Sequence, residues 1–217
     1  MSAGQPELDA KAFLADRYDV PRETLDRLQI YADLLDEWQM RMNLVAPSTL
    51  PVKWDRHFLD SAQLIDHIPT AGRRLDWIDL GAGAGFPALV IAILRPQVRM
   101  TMVESRQKKC AFLQHVAEQT GVADRVKIQS ERIEALPEKR FDVVSARALA
   151  DLSQLFDWGR RFADNRSCWL LPKGANVEAE ISQARQHYEF EVDLQPSLTD
   201  PSGRIVIARS VRQRKNR

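Results

Sequence analysis

LDWIDLGAGAGFPALVIAIL, residues 75–94, sets Gly81, Gly83 and Gly85 between a short apolar run and an apolar helical pattern. A run of this length that ends in turn residues reads as a buried strand. Glycine permits positive φ and carries no Cβ to block a ligand. The helix that follows offers free N–H groups and the positive end of its dipole. In open α/β sheets, ligands sit at the carboxyl ends of strands, near the point where strand order reverses. The loop therefore reads as a nucleotide-type binding site.

Downstream, short apolar runs alternate with helical stretches. The runs are residues 75–80, 98–103, 125–129, 141–146 and 168–172, and the helical stretches lie near 86–94, 107–119, 152–162 and 176–187. Such alternation predicts a parallel sheet with helices on both faces. The end differs: YEFEVDLQ (188–195) and GRIVIARSV (203–211) are joined by a stretch too short for a helix. They should pair as an antiparallel hairpin at the sheet edge. Upstream, Leu28, Tyr31, Leu35, Trp38 and Met42 follow helical spacing, NLVAPSTLP (43–51) breaks it, and a second helix is expected over residues 53–67. PTAG (69–72) closes that section. The division expected is a helical N-terminal cap (1–72), a ligand-binding core (73–211) and a basic tail (212–217), forming one structural unit.

Composition excludes several classes. Thirty-one Lys and Arg nearly cancel 30 Asp and Glu, so bulk charge names no partner. Cys110 and Cys168 lie far apart and the four histidines are scattered, which suggests neither a disulfide framework nor a metal site. The start has no signal-peptide pattern and no apolar run approaches bilayer length, so a cytoplasmic protein without membrane contact is expected.

The dinucleotide fingerprint G-x-G-x-x-G fails, because its third glycine falls on Phe86. The spacing G-x-G-x-G instead resembles motif I of the class I S-adenosylmethionine-dependent methyltransferases, whose sheet also ends in an antiparallel pair. Glu104 closes the second strand, where a carboxylate can accept both ribose hydroxyls. In SERIEALP (130–137), Ile133 is placed to pack on the adenine ring and Glu134 to accept its amine. No [D/N]-P-P-[Y/F/W] follows the fourth strand, and neither cysteine has the Pro-Cys context of a covalent pyrimidine enzyme. The acceptor is then one that is already nucleophilic, such as a ring nitrogen; small molecules remain open on this ground.

Read together, NL (43–44), RHFLDS (56–61), WIDLGAGAGFP, VESRQKK, SARA (145–148) and PKG (172–174) resemble the bacterial glucose-inhibited division protein B family, the family of ribosomal RNA small subunit methyltransferase G. The resemblance covers nearly the full length. It implies a Rossmann-like fold with a seven-stranded, mostly parallel sheet, and methyl transfer from S-adenosylmethionine to guanine N7 in small-subunit ribosomal RNA. The expected partner is that RNA or the 30S particle, with the enzyme a monomer. It also implies that Gly81 and Phe86 bound the cofactor loop, that Ile133 and Glu134 lie on the adenine side, and that Arg147 faces both cofactor and acceptor. Arg147 can hold the methionine carboxylate, an RNA phosphate or guanine O6, and the sequence does not choose among them. Arg56, His57, Lys173 and Arg204 are the expected RNA contacts. Arg106, Lys108, Lys109 and the tail are further candidates, equally readable as a solvated face. Ala82 and Ala88 depart from the family loop, which often carries a hydroxyl and a fourth glycine there. Two rivals stand: a small-molecule methyltransferase, and a non-catalytic RNA-binding assembly factor.

Overall fold

The computed structural model describes residues 5–68 and 73–214; the predicted close of the cap at 69–72 and the last three residues of the tail lie outside them. Two helices open the chain, α1 (Gln5–Arg17) and α2 (Arg22–Gln39). Leu28, Tyr31 and Leu35 of α2 are fully buried, as the helical spacing predicts. Trp38 lies on the same side, its ring 5.5 Å from that of Phe112.

The second cap helix is a composite. A 3₁₀ turn (Pro47–Val52) leads into a π-helical turn (Trp54–Leu59), one α turn, α3 (Asp60–Ala62), and a second 3₁₀ stretch (Gln63–His67). The spacing of Trp54, Phe58, Ala62 and Ile65 predicts one regular helix. The apolar face is right, but the backbone winds three ways beneath it.

The core alternates as expected: β1 (Leu75–Leu80), α4 (Ala88–Leu94), β2 (Val98–Val103), α5 (Gln107–Gln119), β3 (Val126–Gln129), β4 (Val143–Ser145), α6 (Leu152–Gly159), β5 (Cys168–Lys173), α7 (Val177–His187), β6 (Tyr188–Pro196) and β7 (Arg204–Gln213). The seven strands order as β3-β2-β1-β4-β5-β7-β6. The first five are parallel, and β7 runs antiparallel to both β5 and β6. Strand order reverses between β1 and β4, so the loops after them flank the switch point. The stretch expected as a basic tail starts inside β7: Arg212 pairs with Glu189, and the strand runs through Gln213.

Two apolar layers cover the sheet. One joins the cap, α4 and α5; the other joins α6, α7 and the terminal strands. All seven residues of α4 are buried, because the cap covers the face that would otherwise meet water. Tyr31 and Phe58 of the cap share one aromatic cluster with Phe86 of the glycine loop. The cap thus shares the core of the domain it covers.

Candidate active site

The loops after β1, β2 and β4 and the cap enclose a cleft of about 1120 Å³. Its floor is the glycine loop. Gly81, Gly83 and Gly85 all have positive φ, at 68°, 58° and 94°, which L side chains adopt only at a cost. They differ in what they serve. Gly81 and Gly83 line the cleft. Gly85, expected beside the cofactor, turns into the core instead. A Cβ there would stand 2.5 Å from Leu89 Cδ1 and 2.9 Å from the Tyr31 hydroxyl. The Phe86 ring lines the cleft and also packs on the cap, stacked with Tyr31 and with His57 at 5.0 Å between centroids in each pair.

Glu104 ties two loops together. Its Oε2 accepts from Gly83 N at 3.1 Å and its Oε1 from Arg106 N at 2.8 Å. Each oxygen keeps acceptor capacity for a hydroxyl from the cleft. Ile133 and Glu134 sit on a 3₁₀ turn that lines the same cleft, Ile133 buried and Glu134 exposed. Arg161 braces that turn by donating to Glu134 O at 3.0 Å.

One residue of this region escapes the sequence reading. Asp79 lies in β1, two residues before Gly81, and is 1% exposed. Trp77 Nε1 donates to Ser145 Oγ, which donates to Asp79 Oδ1 at 2.6 Å, while Asp79 Oδ2 has no partner. Burial raises the Asp79 carboxyl to about 7, against the lowering effects of the Ser145 hydrogen bond and Arg147. The available signal was a carboxylate inside an apolar strand, since buried charge is costly without a use.

Arg147 follows β4 and sits beside Ala148, a non-glycine residue at φ 52°. Its Nη1 donates to Arg56 O and to Asp60 Oδ2, both at 3.1 Å. Its Nη2 lies 3.2 Å from His57 Nδ1, and its guanidinium lies over the Phe86 ring at 5.1 Å. Asp60 also accepts from Gln63 and Thr199 through Oδ1. Thr199 belongs to the β6–β7 loop, so the cap, the β4 loop and the closing hairpin meet at one carboxylate. The sequence places Asp60 on one helical face with Arg56, a face read as closing over the cofactor or guiding the RNA; Thr199 and Gln63 were not singled out, because a fold contact between residues 60 and 199 leaves no local pattern.

The expected RNA contacts divide. Arg56 is exposed at the rim and anchored by Thr199 O at 3.3 Å. Arg204 lines the cleft, but its Nη1 bonds Pro201 O and Gly203 O of its own turn. His57 lines the cleft but is 7% exposed, with both ring nitrogens engaged by Thr49 and Arg147. Lys173 is turned inward: its ammonium binds Glu180 at 2.8 Å and Ala150 O at 2.6 Å. Arg106, Lys109 and Arg132 line the mouth of the cleft, with Arg106 and Arg132 exposed.

The order of strands and the cleft over the switch point match solved methyltransferases. A SAM-dependent O-methyltransferase from Thermotoga maritima superposes with a TM-score of 0.58 over 84% of this chain and 73% of that one, at 16% identity. A SAM-dependent methyltransferase from Aquifex aeolicus superposes with 0.57 over 76% of this chain and 94% of that one, at 12% identity. The architecture is that of the class I S-adenosylmethionine-dependent methyltransferases. Sequence narrows the class. The family model for rRNA small subunit methyltransferase G matches residues 24–203. The ribosomal RNA small subunit methyltransferase G of Rhizorhabdus wittichii is 43% identical over 209 residues, 96% of this chain and 94% of that protein. Its counterpart in Rhodospirillum centenum is 47% identical over 203 residues, 93% of this chain and 90% of that protein. This chain belongs to the rRNA small subunit methyltransferase G family.

Proposed function

We propose that the chain transfers the methyl group of S-adenosylmethionine to N7 of a guanine in small-subunit ribosomal RNA. The observation that carries this reading is the meeting of Arg147 with the glycine loop inside one cleft. The residues fit the cofactor. Glu104 keeps acceptor capacity toward the cleft, and Gly81 and Gly83 bring backbone close. When bound, the sulfonium supplies an electrophilic methyl group and leaves as a neutral thioether.

The chain's own part is positioning. Guanine N7 has a free lone pair, so no residue need remove a proton before attack. The enzyme holds acceptor and methyl donor in line, and good alignment alone is worth roughly 7–11 kcal/mol of barrier. Glu104 and the Ile133–Glu134 turn fix the nucleoside end of the cofactor. Arg147 orients the acceptor. Methylation at N7 leaves the purine positively charged, which a bare arginine would oppose. Asp60 at 3.1 Å neutralises Arg147, so the guanidinium acts as a directional donor with little net field. Three of its five N–H donors are bound inside the protein, leaving two for a ligand.

The test is incubation with tritiated S-adenosylmethionine and small ribosomal subunits from a strain lacking this gene, followed by nucleoside analysis. Label in 7-methylguanosine is expected, and Gly81→Asp should abolish it, since a side chain there meets Leu149 at φ 68°. No label in RNA, with cofactor still bound, would overturn the reading and direct attention to metabolite acceptors.

A further inference from the structure

We infer that His57 is a positioning residue that works as a neutral hydrogen-bond acceptor for Arg147, with its tautomer fixed by Thr49. The argument begins with what each atom can do. A guanidinium has only donors. The 3.2 Å contact from Arg147 Nη2 to His57 Nδ1 therefore requires Nδ1 to be the accepting nitrogen. The proton of the neutral ring must then sit on Nε2, which lies 2.7 Å from Thr49 Oγ1. Thr49 accepts it and passes its own proton to Ala46 O at 2.7 Å. The chain of donors runs one way, from Arg147 through the ring to a backbone carbonyl.

The surroundings enforce the neutral form. His57 is 7% exposed and its ring stacks on Phe86. A proton on Nδ1 would set two cations donor to donor. Burial, then Arg147 and Arg56, push the imidazole down to about 3; Asp60, the nearby acid, is taken by Arg147, Gln63 and Thr199. A ring in this state cannot exchange protons with a substrate at neutral pH, and it has no free nitrogen with which to do so.

The backbone is shaped for the same purpose. Asp60 N donates to Asp55 O and His57 O, passing over Arg56 O, the carbonyl it would use in an α-helix. Arg56 O instead accepts from Arg147 Nη1. The π-helical turn and the α turn that follows it thus offer Arg147 a carbonyl, an imidazole and a carboxylate from residues 56, 57 and 60, and the Phe86 ring lies 5.1 Å from the guanidinium. π-turns within helices are frequent at functional sites. The cap here grips the group that this reading places at the reaction centre.

The inference rests on the assignment of Arg147 in the preceding section, so its test has one arm that needs neither RNA nor turnover. Long-range proton–nitrogen NMR of the full-length protein should show His57 with Nε2 protonated, Nδ1 bare, and no titration between pH 5 and 8. A protonated Nδ1, or a midpoint within that range, overturns the inference whatever the acceptor proves to be. The second arm is steady-state kinetics. Asn can place an acceptor near the position of Nδ1, whereas Gln reaches only the Nε2 side. His57→Gln should lower kcat by roughly 10- to 100-fold, the scale of a small misplacement at a reacting centre, with cofactor Kd changed little, and His57→Asn should recover much of that loss. Equal kcat for the two variants, or an unchanged kcat in His57→Gln, refutes the positioning role. If wild type labels no RNA, the acceptor assignment has failed, and the NMR arm still decides the state of His57.

Discussion

At the scale of the residue, the three glycines that announce the fold do different work. Gly83 has φ 58°, and an added Cβ would meet only ordinary contacts at 3.7 and 3.9 Å. Gly83→Ala should lose only about 1–2 kcal/mol of stability, the cost of left-handed backbone, while weakening cofactor binding in the cleft that it lines. Gly85 has φ 94° and meets Leu89, Tyr31 and Leu113 within 3.0 Å. Gly85→Ala adds overpacking of about 1–3 kcal/mol to the backbone cost, so its urea midpoint should fall well below that of Gly83→Ala. Asp79 gives a second test. Its carboxyl is raised to about 7 from an ordinary 3.8, so from about pH 4 to pH 7 the folded chain keeps a proton that the unfolded chain has lost. Stability contributed by this group is full below pH 4, declines with rising pH and levels off above 7. Asp79→Asn should remove that decline. Comparing urea unfolding at pH 5 and pH 8, the wild type should lose on the order of 2–3 kcal/mol more than the variant; equal losses would refute the protonated state.

At the scale of the element, α2 stands against the glycine loop as a buttress. The Tyr31 hydroxyl donates to Ala84 O at 2.5 Å inside the core, and its ring stacks on Phe86. Tyr31→Phe keeps the stack and orphans the carbonyl, which should lower stability by about 1–3 kcal/mol and loosen the loop enough to raise the cofactor Kd; titration calorimetry and urea unfolding check the two effects together. The strands and most helices were legible in the sequence because period and turn residues are local signals, and β1 and β2 fall on residues 75–80 and 98–103 as read. The winding of residues 54–67 was not legible, because the apolar face of an α-helix survives a π-turn and a 3₁₀ end nearly unchanged. The site divides in the same manner. Gly81 and Glu104 follow strand ends and could be picked out from position, whereas Arg147 was singled out by the family resemblance. The engagement of His57 and Lys173 depends on Thr49, Arg147 and Glu180, partners that only the fold brings near.

At the scale of the whole molecule, the question is how a chain of net charge +1 approaches a polyanion. Uniform attraction is excluded, so any steering must come from local arrangement. The fold supplies it by sorting the cations. Lys173 pairs with Glu180, Arg73 with Asp142 and Arg17 with Asp66, while Arg106, Lys109 and Arg132 gather at the cleft mouth. If those three meet phosphates in the proposed RNA complex, each releases bound counterions, and the logarithm of affinity falls with the logarithm of salt by about 0.7–0.9 per contact. Arg106→Gln combined with Arg132→Gln should then weaken RNA binding at low salt and flatten that slope by about 1.5, with cofactor Kd little changed because neither side chain ties the glycine loop. Arg17→Gln, remote from the cleft, should leave the slope as it is. Filter binding across a salt series reads both, and a slope unmoved by the double variant would place the RNA on another face of the molecule.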